Sequence, residues 1–119
     1  MKYRAFGNTG EQVSEISLGT WQLGGKWGDA YSDKIAQATM ETAFEQGINF
    51  FDTADVYNGG ESEKSIGRFI KGKQGKIFVA TKCGRQINPH TAAGYTREAV
   101  VKYTEDSLKR LDVDRLDLI

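Results

Sequence analysis

Short apolar runs of three to five residues recur along the chain, and between them lie stretches in which apolar residues return every three or four positions. The first pattern predicts brief buried strands and the second predicts helices with one apolar face. Lys2 to Phe6 and Val13 to Ser17 flank Gly7-Asn8-Thr9-Gly10, whose small residues tolerate positive φ, and this predicts a hairpin. Ile16-Ser17-Leu18 predicts a strand running into Gly19-Thr20-Trp21, followed by a glycine-rich loop to Tyr31. Ala36, Met40, Ala43 and Phe44 share one face of a helix that Ser32 or Asp33 caps and Gly47 ends. Ile48 to Phe51 is the next strand, and the polar loop Asp52 to Gly60 leads to a second helix that buries Ile66, Phe69 and Ile70 before Gly72 and Gly75. Ile77 to Ala80 is a third strand running into Thr81-Lys82. A loop through Pro89 and Gly94 then leads to a helix capped by Thr96, with Val101, Thr104, Leu108 and Leu111 on its apolar face, and Arg115 to Ile119 begins a fourth strand.

Strands alternating with helices of this length indicate an α/β protein with a parallel sheet, because each right-handed crossover lays its helix over the sheet. Strand starts near Ile16, Asn49, Ile77 and Leu116 are 33, 28 and 39 residues apart. Eight such units need about 264 residues, close to the roughly 250 of a (β/α)8 barrel. An open doubly wound sheet is the rival, but Gly19-Thr20-Trp21-Gln22-Leu23-Gly24 does not fit its Gly-x-Gly-x-x-Gly turn. The fold expected is therefore a partial (β/α)8 TIM barrel: an N-terminal hairpin plus about three and a half βα units. Residues 1–119 are expected to be the N-terminal part of a single barrel domain, cut within its fourth strand.

Composition narrows the partners. Sixteen Lys and Arg balance sixteen Asp and Glu, so the chain lacks the positive field that nucleic acid or an anionic membrane demands. No apolar run approaches the ~20 residues that cross a bilayer. The opening residues carry no secretory signal and the single cysteine, Cys83, cannot close an internal disulfide, which together point to a reducing, cytoplasmic setting. One Cys and one His leave no metal-ligand cluster, so no metal is expected.

In a barrel, chemistry is carried at the carboxyl ends of the strands. The residues there are Thr20 and Trp21, then Asp52 and Tyr57, then Lys82. A phenol loses its proton near pH ~10, too high for an efficient acid at neutrality, and a neighbouring ammonium lowers that value. Lys82 is placed to supply the charge, Asp52 to hold Lys82, and Tyr57 to donate a proton to a developing alkoxide. Each has a plainer reading: Asp52 as a turn carboxylate, Tyr57 as a loop aromatic before Asn58-Gly59, Lys82 as a solvated strand end. Trp27 reads as a lid or packing aromatic, Cys83 as a buried inert thiol facing away from Lys82, and His90 as a lone loop histidine.

Gly47-Ile48-Asn49-Phe50-Phe51-Asp52-Thr53-Ala54-Asp55-Val56-Tyr57, Gly60-Glu61-Ser62-Glu63 and Ala80-Thr81-Lys82 resemble the aldo-keto reductases, and the likeness runs from Phe6-Gly7-Asn8-Thr9-Gly10 to Asp117-Leu118-Ile119. The glycine-rich loop with Trp21 and Trp27 looks most like the bacterial, oxyanion-reducing branch of that family rather than its sugar-reducing branch. The resemblance implies a (β/α)8 barrel that binds NADPH, with NADH possible, and passes hydride to an aldehyde or ketone. It assigns Asp52, Tyr57 and Lys82 to three of four catalytic positions and Thr20, Trp21 and Asp52 to the cofactor shell. The fourth position, a histidine at the end of the fourth strand, is absent from this sequence. The 119 residues alone are accordingly expected to be inactive and to self-associate through open sheet edges. The alternative is a cofactor-sensing or regulatory subunit on the same barrel.

Overall fold

The computed structural model describes residues 1–26, 28–73 and 75–119. The readings of Trp27 fall outside them. The hairpin is β1 (Tyr3–Ala5) against β2 (Gln12–Ser14), antiparallel, with Arg4 opposite Val13. Three parallel strands follow in sequential order: β3 (Leu18–Gly19), β4 (Phe50–Asp52) and β5 (Phe78–Ala80). Helix α1 (Asp33–Glu45) connects β3 to β4 and α2 (Glu61–Ile70) connects β4 to β5, giving two βαβ crossovers, and α3 (Arg97–Leu111) follows β5.

Alternation along the strands sorts the side chains. Phe51 and Val79 are paired neighbours that face the helices, where Phe51 is fully buried and stacks on Phe69 of α2 with ring centroids 5.9 Å apart. They join Ala36, Met40, Ile66, Ile70 and Leu111 in the core between sheet and helices. Phe50 and Phe78, also paired in register, point to the other face, where their rings meet at 5.3 Å. Phe6 from the hairpin covers both, at 5.8 Å from Phe50 and 5.0 Å from Phe78. Continuing the same alternation, Asp52 and Lys82 share the face of Phe50 and Phe78, at the carboxyl end of the strands.

Several expectations need correction. The strand placed at Ile16 starts at Leu18, and Ile16 is 60% exposed, because pairing with β4 begins only where Leu18 meets Phe51. The strand placed at Ile48 to Phe51 lies at Phe50–Asp52, so Asp52 is a strand residue held by the ladder and not the first residue of a loop. Arg115 to Ile119 forms only a single parallel bridge between Leu118 and Ala80. A strand gains its stability from ladder partners on either side, and among the described residues this segment has one neighbour. Val101, expected on the buried face of α3, is 42% exposed. Helix α3 buries Ser107 and Leu111 against α2 instead, so contact is made by its C-terminal half. The caps are Ser32, whose side chain accepts from Ile35 N, and Thr96, which accepts from Ala99 N.

Close approach of α2 and α3 depends on Gly67: a Cβ there would lie 2.5 Å from the Leu111 carbonyl oxygen and 3.0 Å from that of Arg110. Backbone atoms cannot yield as a side chain can. Gly67→Ala should therefore lower stability by about 1–3 kcal/mol, outweighing the ~1 kcal/mol that alanine gains in helix propensity. The thermal midpoint reports this, and a raised midpoint would mean that the helices do not pack this closely. A second expectation concerns acid. The Arg68 guanidinium, 2.6 Å from Asp33 Oδ1, and then the Ser65 hydroxyl hold the Asp33 carboxyl down to about 2 from 3.8. A folded value below the unfolded one adds stability that is complete above pH ~4 and lost as the pH falls towards ~2. The Asp33 side chain is 45% exposed, so solvent screening keeps the effect under about 1 kcal/mol. Asp33→Asn should flatten the acid limb of denaturation over that window, while leaving the curve unchanged near neutrality in shape.

Candidate active site

The site begins with the strand ends. Lys82 Nζ donates to Asp52 Oδ1 and to the Thr53 carbonyl oxygen, each at 2.7 Å, so the ammonium is fixed between the end of β4 and the residue after it. Chain and ladder continue past the strands: Thr53 N donates to Ala80 O at 2.8 Å and Asp55 N to Lys82 O at 3.2 Å. These bonds carry residues 53–55 alongside 80–82 and bring Tyr57 over the site.

Tyr57 opens a 3₁₀ turn, Tyr57–Gly60, in which Asn58 takes a left-handed conformation with φ 50°. Asparagine tolerates this better than most residues. The Lys82 ammonium lies 5.1 Å from the Tyr57 ring centroid, within cation–π range. Trp21, 63% exposed, stacks on the Tyr57 ring, with centroids 6.0 Å apart and planes 8° apart. Among the described residues Lys82 makes no hydrogen bond to the Tyr57 hydroxyl; it acts on the ring. Asp52 and Tyr57, five residues apart, thus meet Lys82, 25 residues further on, at one end of the sheet, with Trp21 beside them.

Thr20 occupies a different layer. It is fully buried, its Oγ1 donates to Asp52 O at 2.9 Å, and it accepts from Ser62 Oγ at 2.8 Å. Its side chain braces the strand end that carries Asp52 and offers nothing to the cleft. Ser62 Oγ also shares a hydrogen bond of 2.9 Å with Thr53 Oγ1. Next to it Glu63, with no exposed surface, accepts from Thr81 Oγ1 and from Arg110 Nε, both at 2.5 Å. From the sequence Thr20 is expected in the cofactor shell, and Thr53, Ser62, Glu63 and Thr81 stand only inside the motifs that carry the family resemblance, with no burial assigned to them. Their one signal is an acidic residue followed by Ile66, Phe69 and Ile70 at helical spacing, which places position 63 on the inner side of α2.

A cleft of about 550 Å³ opens in front of Tyr57 and Lys82, lined by Trp21, Leu23, Tyr31, Asp55, Asn58 and Arg85 among others. Its outer wall is the glycine-rich loop. Gly24, at φ 89°, is where the loop needs glycine, since a Cβ would lie 2.6 Å from the Tyr31 ring. Asn58 Nδ2 ties the loop down by donating to Leu23 O at 3.0 Å. Burial pushes the Tyr31 phenol up, and its hydroxyl donates to Asp33 Oδ1 at 3.1 Å. Cys83 is half-buried, and burial followed by the charge of Asp55 pushes its thiol up, as suits an unreactive thiol. His90, exposed, contacts the Tyr95 hydroxyl at 2.9 Å, away from the cleft.

The described helices include none long and apolar enough to cross a membrane. Residues 15–119 match the family model described as the Aldo/keto reductase family. The chain is 40% identical to L-galactose dehydrogenase of Arabidopsis thaliana over 122 residues, all of this chain and 37% of that protein. A solved aldo-keto reductase from Bacillus halodurans superposes with a TM-score of 0.81 at 31% identity, over 98% of this chain and 38% of that one. An aldo-keto reductase from Klebsiella pneumoniae solved in complex with NADPH gives 0.72 at 27% identity, over 91% of this chain and 34% of that one. The chain thus spans little more than a third of the length of these relatives. Their likeness assigns the hairpin and parallel strands to part of a (β/α)8 barrel, and the chain belongs to the aldo/keto reductase family.

Proposed function

We propose that this chain supplies the proton-donating side of an oxidoreductase that reduces aldehydes or ketones to alcohols with NADPH. The observation that carries this reading is the Lys82 ammonium, held by Asp52 at 2.7 Å and lying 5.1 Å from the Tyr57 ring centroid at the mouth of the cleft. The arrangement suits transfer of a proton from Tyr57 to carbonyl oxygen. Negative charge develops on that oxygen as the carbon is reduced, and a phenol hydroxyl gives up its proton to it. The tyrosinate left behind is stabilised by the nearby fixed cation and regains a proton from solvent. Asp52 keeps Lys82 in place and balances its charge.

The described residues suit one end of a nicotinamide cofactor: exposed Trp21 offers an aromatic face at the cleft, and half-buried Asp52 a carboxylate on the Lys82 ammonium that lines it. NADPH, when bound, supplies the hydride. Thr20 serves that end through the strand terminus it braces. In this reading the remaining strands of the barrel contribute a histidine and the contacts to the cofactor's phosphates, residues 1–119 form the N-terminal part of that single domain, and the segment alone does not turn over.

In a protein that carries this chain with the strands that complete the barrel, Tyr57→Phe should lower kcat at least ~100-fold, the usual worth of a positioned acid. NADPH affinity, followed by quenching of its fluorescence, should change less than about twofold, because the hydroxyl acts on substrate oxygen. Turnover at the unmodified rate would remove Tyr57 from the role. Lys82→Met should also cost about 100-fold in kcat, and it leaves the Asp52 carboxylate without its cation. Stopped-flow measurement of NADPH oxidation checks this, and an unchanged hydride-transfer rate would show that the charge is not used.

A further inference from the structure

A second concavity lies between the helices and shares no lining residue with the cleft. It is a groove of about 320 Å³ between α2 and α3, and among the described residues its lining is Lys64, Arg68, Lys71, Lys109, Arg110 and Asp112. In a chain whose charges balance overall, five cations around one carboxylate make a concentrated positive field. Lys64, Arg68 and Lys71 are spaced by four and three and form one ridge along α2. The close approach at Gly67 sets that ridge against Lys109 and Arg110 in the last turn of α3. Helix dipoles favour cations at carboxyl ends, which suits Lys71, Lys109 and Arg110. Lys64 is the fourth residue of α2, where the dipole favours the opposite charge, and like charges along one ridge oppose each other.

Most of the carboxylates that offset these cations are not part of the lining. Arg68 donates to Asp33 through one terminal nitrogen, and Arg110 donates to buried Glu63 through Nε, so each planar guanidinium is held in place with donors to spare. Lys71 and Lys109, with side chains 77% and 75% exposed, make long ion pairs, 3.6 Å to Asp112 and 3.9 Å to Asp106. Exposed pairs of this kind are worth little, so both ammoniums can turn to a ligand at small cost. A compact anion with several charges answers fixed guanidiniums and movable ammoniums together. A protein partner would bring apolar anchors, and the described lining, wholly charged, offers them no pocket. We propose that the groove between α2 and α3 binds a small soluble ligand that carries a pyrophosphate or two neighbouring phosphate groups. The helices form the outer ring of a (β/α)8 barrel, so completing the strands leaves the groove open.

The test is calorimetric titration of inorganic pyrophosphate into the barrel-complete protein carrying this chain. NADPH is kept saturating, so that contacts to the cofactor's phosphates are already filled, and salt is held at about 0.15 M, where diffuse surface attraction is largely screened. One equivalent should bind with Kd under about 1 mM, as several charge-assisted contacts provide. Lys71→Gln combined with Lys109→Gln, both exposed and outside the cleft, should weaken binding by about 3- to 30-fold. Asp112→Asn removes the one carboxylate of the described lining and keeps a residue that tolerates its left-handed backbone, φ 54°, so it should tighten binding by about two- to fivefold. A purely structural role for these residues would not move the affinity in opposite directions. Absence of pyrophosphate binding, or an affinity unmoved by either change, would overturn the proposal and leave carbonyl reduction standing.

Discussion

A carboxylate with no exposed surface governs the arrangement of this chain. Glu63 on α2 binds Thr81 at the end of β5 and Arg110 on α3, and the adjacent Ser62 binds Thr20 and Thr53 at the ends of β3 and β4. Two consecutive residues in the first turn of one helix therefore reach three strand ends and a second helix. A buried charge is tolerable only when it is paired and its remaining lone pairs are used, and here the pairing fixes relative positions as well. Sliding any of these strands by one residue would turn its threonine away and strand a polar group in the core. The strand ends on which Asp52 and Lys82 stand are held by this lattice of hydroxyls and one ion pair.

Much of the fold is legible in the sequence because the relevant signals are local. The hairpin follows from Gly7 to Gly10, the helix start from Thr96, and the sorting of Phe50 and Asp52 from Phe51 follows from a period of two. That period also explains why Asp52 and Lys82 converge: each lies an even number of residues from a phenylalanine of the inner face, Phe50 and Phe78. The signals that mislead are those in which a pattern permits burial without a partner to enforce it. Val101 has the right spacing on α3 but no described element lies over it, and Arg115 to Ile119 has the composition of a strand but one neighbour. Glu63 is the converse case. Glu61-Ser62-Glu63 reads as the acidic first turn of a helix, favoured by the helix dipole, and nothing local tells that Glu63 finds partners 18 and 47 residues away.

The same limits apply to the site. Its three converging side chains are readable because each follows a strand pattern or a family motif. The form of their contact is not: Lys82 meets Tyr57 through the ring face, and this depends on the Asn58 backbone and on Trp21 stacked beside the phenol. Thr20 shows the difference between position and accessibility. It stands at the strand end where a cofactor contact is expected, yet its hydroxyl is engaged inside the protein by Asp52 O and Ser62.

The three phenylalanines beneath the site bear on the direction of traffic. Phe6, Phe50 and Phe78 close the face of the strands at the amino-terminal side, while Asp52, Tyr57 and Lys82 stand at the other. Ions and water approaching from below meet an oily floor of three packed rings. An approach to Asp52, Tyr57 and Lys82 is accordingly easier over the rim that carries them than through the three packed rings.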